Sequence, residues 1–131
     1  MELTTFAGLI ERDSLCVVTA TRADGSVQAS LVNAGVLDGR VAYVARGDSL
    51  KVRLLRERPV CSVTVRDGFE WATVEGEASI EGPAGVRELL RQVFQAAGGT
   101  HEDWDEFDRV MAEEGRVAVF VDPMRVYGIT R

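Results

Sequence analysis

Three Asp-Gly pairs, Asp24-Gly25, Asp38-Gly39 and Asp67-Gly68, each lie between two runs rich in Val, Ala and Thr. Glycine accepts positive φ without steric cost, and Asp tolerates it better than most residues. The pair in this setting is the strongest short-range hairpin signal a sequence offers. Hairpins join antiparallel neighbours, which predicts strands over residues 15–22, 26–37, 40–46, 60–66 and 69–80. Residues 116–122 read as a further strand, Pro123 as a break and 125–130 as a last short strand. A sheet of this length avoids exposed edges by closing. The expected fold class is therefore mainly β, an antiparallel barrel with peripheral helices.

The helices are predicted between the strands. Residues 3–12 carry Phe6, Leu9 and Ile10 at helical spacing. Ser49 can cap a helix running to about residue 58, where Pro59 stops it. Pro83 opens a helix to about residue 97, with Val86, Leu89, Leu90, Val93 and Phe94 on one face and Gly98-Gly99 at its end. Thr100 with Asp103 resembles a capping box for a helix to about residue 114, burying Trp104, Phe107, Val110 and Met111. The chain shows no repeat, linker or low-complexity tract, so its 131 residues are expected to form one domain, 1–131.

The net charge of −6 argues against a general nucleic-acid binder. Its distribution says more. Residues 40–66 hold seven basic residues and two acids, a local +5 that leaves −11 for the rest of the chain. A basic segment on an acidic protein suits a compact anionic ligand better than a long polyanion; the alternative is a solvated helix face that happens to be basic. No apolar run approaches the ~20 residues that span a bilayer. Met1-Glu2-Leu3-Thr4 lacks the basic start of a secretory signal, and the expected location is cytoplasmic. Cys16 and Cys61 lie in apolar runs and read as buried thiols rather than a disulfide. With one His and no close Cys pair, no metal site is expected.

Two segments could carry chemistry. From Tyr43 to Arg58 the chain reads strand, Gly47, a capping Asp48 or Ser49, then a basic helix. That is the layout of a phosphate cradle, because a helix N-terminus offers unpaired N–H groups and the positive end of its dipole. Lys51, in the first turn, is the only lysine of a chain that otherwise uses arginine; compositional chance is the competing reading. In the strand from Val27 to Asn33, alternation puts Gln28, Ser30 and Val32 on one face and Ala29, Leu31 and Asn33 on the other. Polar groups in mid-strand need partners if buried. A heteroaromatic ring would supply them, whereas an exposed strand face would need none. His101 and the acidic run from Glu102 to Asp108 read as the surface of a capped helix rather than as a proton donor or cation site.

The order of these segments carries a resemblance. Arg-Ala-Asp-Gly-Ser, then Gln-Ala-Ser-Leu-Val-Asn at 28–33, then Ala-Tyr-Val-Ala-Arg-Gly-Asp-Ser-Leu-Lys-Val-Arg-Leu-Leu at 42–55 resemble the pyridoxamine 5′-phosphate oxidase-like superfamily. Arg-Asp-Gly-Phe-Glu-Trp-Ala-Thr-Val-Glu-Gly-Glu-Ala at 66–78 and Arg-Val-Ala-Val-Phe-Val-Asp-Pro-Met-Arg-Val-Tyr-Gly at 116–128 are similar to its branch of F420-dependent reductases. The resemblance implies a six-stranded split β-barrel that binds FMN or a deazaflavin, forming a homodimer with two cofactor sites at the interface. It implies that Gln28, Ser30, Val32 and Asn33 line the ring system, and that Val44, Ala45 and Arg46 flank the ring and its polyol chain. Ser49, Lys51, Val52 and Arg53 would hold the phosphate, and Trp71 would lie near the ring, from either subunit. The implied activity is hydride transfer from reduced coenzyme F420 to a small unsaturated organic acceptor. Arg46, Lys51, Arg53 and Arg56 exceed what one phosphate requires, which favours the polyanionic F420 over FMN. The alternatives are an FMN-dependent oxidase or reductase, and a non-catalytic carrier of F420 or flavin. No catalytic side chain is assigned, and the acceptor is not named: some relatives carry Pro and aromatic residues where this chain has Leu31, Asn33 and Ala34.

Overall fold

The computed structural model describes residues 1–131. Ten elements follow in chain order: α1 Leu3–Arg12, β1 Leu15–Thr21, β2 Val27–Leu37, β3 Arg40–Arg46, α2 Leu50–Glu57, β4 Val60–Asp67, β5 Glu70–Glu81, α3 Arg87–Ala96, α4 Trp104–Glu113 and β6 Arg116–Ile129. The six strands close into an antiparallel barrel in the order β1-β2-β3-β6-β5-β4. Each Asp-Gly pair turns a hairpin, and Gly25, Gly39 and Gly68 all take positive φ. No helix is long and apolar enough to cross a membrane.

Strand alternation sorts the apolar residues into two cores. Val41, Tyr43 and Ala45 of β3 and Val117, Val119 and Val121 of β6 point into the barrel, where Phe6 and Leu9 of α1 and Val52 and Leu55 of α2 join them. The intervening Ala42, Ala118 and Phe120 face outward and are covered by Val86 at the start of α3, Leu90 and Val93 within it, and Phe107 of α4. β3 and the first half of β6 are thus buried on both faces, which is why they read as unbroken apolar runs. Cys16 and Cys61 are buried free thiols. Burial pushes the Cys16 thiol up to about 12 and the Cys61 thiol up to about 11.

Three details differ from the sequence reading. α3 begins at Arg87 rather than at Pro83, because Gly82 and Gly85 adopt positive φ, which a right-handed helix does not accommodate. α4 is capped by Asp103 rather than Thr100; the Asp103 carboxylate accepts from the Asp105 and Glu106 N–H groups. β6 runs through Pro123 unbroken, since the proline sits at a β-bulge opposite Glu75 and Gly76, where the register shifts and a lost N–H costs the ladder little.

Candidate functional site: a cleft where β2 and β3 part

β2 has two halves with different partners. Val27 to Asn33 pair with β1, and Ala34 to Leu37 pair with β3. The last β2–β3 pair is Ala34 with Tyr43, so Val44, Ala45 and Arg46 continue along β6 with no partner on the β2 side. The two strands separate there and leave a cleft of about 640 Å³, within the range of small-molecule sites. Leu31, Val32 and Asn33 form one lip, Val44, Ala45 and Arg46 the other, and Ser49 and Lys51 of α2 the end between them. Peptide groups on the parted edges have no strand to bond, so they can serve the polar rim of a ring.

The end of the cleft is cationic. Ser49 caps α2: its Oγ accepts from the Val52 N–H at 3.4 Å and donates to the Arg46 carbonyl at 2.7 Å. The Lys51 ammonium reaches across the gap and donates to Ser30 Oγ at 3.1 Å. No carboxylate pairs with it. Burial first, and then the charge of Arg116, lower its pKa. The two arginines of the cleft are both engaged. Arg46 lies 3.5 Å from Asp48 and 3.9 Å from Glu114, and Arg116 Nε donates to Glu114 at 3.1 Å. Lys51 is therefore the cation left unneutralised, in a half-buried position where a counter-charge is worth most.

The other wall is apolar and comes from the helical insertion between β5 and β6. Val93, Phe94 and Ala97 at the end of α3, the Gly98-Gly99 turn, and Met111 of α4 line it. Phe94 is held by Phe107, with ring centroids 4.9 Å apart, and by Trp104 at 6.2 Å. Gly35 permits this arrangement: a Cβ there would lie 2.3 Å from the Ala96 carbonyl group, so α3 could not come this close to β2.

The structure brings together Val32, Asn33, Val44, Ala45, Arg46, Ser49 and Lys51 in one cleft. Ser30 joins them through its bond to Lys51. Gln28 does not line the cleft; it shares the strand face of Ser30, and its Oε1 is buried without a hydrogen-bond partner. Val52 is fully buried in the barrel core, so its side chain packs rather than faces the cleft. Arg53 and Arg56 are exposed and lie outside the lining. Trp71 sits in a separate groove with Leu15, Val17, Leu31, Phe69 and Ile129, and this groove meets the cleft at Leu31. His101 Nδ1 accepts from the Asp103 N–H at 3.0 Å, a contact at the start of α4 away from the cleft. Ser14, Phe94, Met111 and Arg116 line the cleft as well, and sequence reasoning missed them. Arg116 had one findable signal, a charged residue opening an apolar strand, but its place opposite Arg46 follows only from the β3–β6 register.

Among solved structures, a conserved hypothetical protein from Mycobacterium tuberculosis superposes with a TM-score of 0.79 and 22% identity, covering 98% of this chain and 84% of that one. An F420 reductase superposes at 0.71 with 18% identity, covering 92% of this chain and 94% of that one. A protein from Listeria innocua, provisionally assigned as a pyridoxamine 5′-phosphate oxidase, superposes at 0.70 with 16% identity over 99% of this chain and 100% of that one. The fold is the split barrel. In this chain the split is the parting of β2 from β3, and the cleft with its lone unneutralised lysine lies in it. No family model matches the sequence.

Proposed function

We propose that this split barrel is an F420H2-dependent reductase acting on a small unsaturated organic acceptor. The observation that carries the reading is Lys51, a half-buried cation without a carboxylate partner at the capped end of the cleft. A phosphate there would supply the missing charge, and α2, capped by Ser49, presents its N-terminus to the same spot. The wall of Val93, Phe94 and Met111 suits the flat face of a fused ring, and the parted edges of β2 and β3 suit its carbonyl and N–H rim. These residues fit a phosphorylated tricyclic ring with its tail toward Lys51. The likeness of fold to an F420 reductase, and the resemblance of residues 28–33, 42–55, 66–78 and 116–128 to that branch, favour the deazaflavin.

When bound, the deazaflavin supplies the hydride. The chain's own part is to hold the phosphate with Lys51 and the start of α2, which Ser49 caps, fix the ring plane between strand edges and the Phe94 wall, and keep water from the reacting face. FMN is the second reading, and one observation favours it. Arg53 and Arg56 lie outside the cleft, so Arg46, Lys51 and Arg116 are its cations, and the two arginines already meet carboxylates.

We also propose that a second copy of the chain covers the groove beside Trp71. Leu31, Phe69 and Ile129 are 61%, 86% and 59% exposed there. Exposed apolar side chains grouped in one groove mark an interaction surface, and Leu31 belongs to groove and cleft alike, so a partner seated in the groove would wall the open side of the cleft.

Titrating the purified protein with coenzyme F420 and with FMN, followed by calorimetry, tests the main reading. Tighter binding of F420, with a Kd well below about 1 mM (a limit of about −4 kcal/mol), is expected. Preference for FMN moves the assignment to the second reading. Failure of both ligands to bind in that range ends it.

A further inference from the structure

We propose that Glu114 is a specificity-determining residue of the cleft, which restricts it to a single phosphate group and disfavours a pyrophosphate. This rests on the reading that the cleft takes a phosphorylated ligand. Arg46 and Arg116 stand directly opposite each other on β3 and β6, where two like charges repel. Glu114 closes α4, and Gly115, at φ +61, turns the chain from it into β6. That turn places the carboxylate against both arginines: Glu114 Oε1 accepts from Arg116 Nε at 3.1 Å, and Oε2 lies 3.9 Å from Arg46 Nη1. The Glu114 side chain is 33% exposed, whereas that of Asp48, the other acid beside Arg46, is 79% exposed and correspondingly screened.

The end of the cleft thus holds three cations, Arg46, Lys51 and Arg116, and Glu114, outside the lining itself, sets one part-buried carboxylate against the two arginines. A phosphate monoester or diester can satisfy Lys51 without disturbing Glu114. An anion long enough to engage Lys51 and the arginines together brings its second phosphate against the Glu114 carboxylate. It must share Arg116 with that carboxylate or displace it. Glu114 therefore selectively weakens anions that place a second phosphate on the arginine pair, and it holds that pair in place when no ligand does.

The test uses Glu114→Gln in the full-length protein, since glutamine keeps the acceptor for Arg116 Nε and removes only the charge. Inorganic phosphate and pyrophosphate are the probes, each titrated calorimetrically at fixed ionic strength into wild type and variant. Glu114→Gln is expected to tighten pyrophosphate about tenfold and phosphate less than about threefold, because the removed charge faces the second phosphate. Glu114→Asp should keep the wild-type ratio. Glu114→Ala repeats the comparison if the glutamine variant folds poorly. An unchanged ratio, or equal tightening of both anions, overturns the proposal. A wild-type protein that binds neither anion removes the phosphate reading beneath it, a distinct outcome seen before any variant is made.

Discussion

At the residue scale, the site turns on the difference between a cation with a partner and one without. Arg46 and Arg116 have carboxylates within reach, and Lys51 has a hydroxyl. Lys51→Ala should weaken the preferred cofactor by about 1–3 kcal/mol, the range for a charge-assisted contact to an anion; an unchanged affinity in the same titration would take Lys51 out of the site. The lowered pKa of Lys51 has a signed consequence. Burial and Arg116 disfavour its charged form in the folded protein, so the unfolded chain binds more protons between the lowered value and the ordinary 10.5. In the free protein this group costs stability below its lowered pKa, and that cost disappears as pH rises toward 10.5. A bound phosphate favours the ammonium again, so binding in that alkaline window should take up a proton. Calorimetry in buffers of different ionisation enthalpy measures it, and zero uptake counts against contact between Lys51 and the anion. Arg46, Ser49 and Lys51 were legible because one short segment carries them all with its own capping residue. Arg116 and Phe94 were not, since each reaches the cleft from a distant part of the chain.

At the element scale, the α3–α4 insertion decides the shape of the cleft. α3 lies against β2 over Gly35. Gly35→Ala forces the Ala96 backbone away, and overpacking of this sort costs about 1–3 kcal/mol. The thermal midpoint should fall, and cofactor affinity should fall with it as the Phe94 wall retreats. A stable variant with unaltered affinity would mean that α3 does not shape the bound state. α3 is clasped to α4 by Arg91, whose guanidinium donates to both carboxylate oxygens of Asp108. That contact holds the Asp108 carboxyl below its ordinary 3.8. Its contribution to stability is therefore present above pH 3.8 and lost as pH falls through the depressed value. Arg91→Ala should lower the thermal midpoint at neutral pH, and its difference from wild type should shrink in that acid range; a difference that persists unchanged there assigns the loss to packing instead. The strands and most helix bounds were legible because turn residues and period-two alternation are local properties. The late start of α3 was not, since Pro83 reads as a helix opener and the sequence does not say that Gly82 and Gly85 on either side take positive φ.

At the scale of the whole molecule, the barrel leaves the apolar residues of the Trp71 groove uncovered. Phe69→Glu places a charge at the most exposed apolar residue of that groove. Sedimentation should show wild type associating as a dimer and the variant shifted toward monomer, without loss of the barrel's circular dichroism. A wild-type protein that stays monomeric across the concentration range used for binding disposes of the second-copy proposal. By itself the sequence determined the hairpins, the antiparallel pairing they require, and the basic helix start with its lone lysine. All of these follow from conformational preferences and charges a few residues apart. Only the tertiary structure decided that β2 changes partners at Ala34, that Arg116 lands opposite Arg46, and that Glu114 stands between them and Phe94 walls the cleft. Those are matters of strand register and of packing between distant segments, and register is set by which apolar face the whole barrel buries.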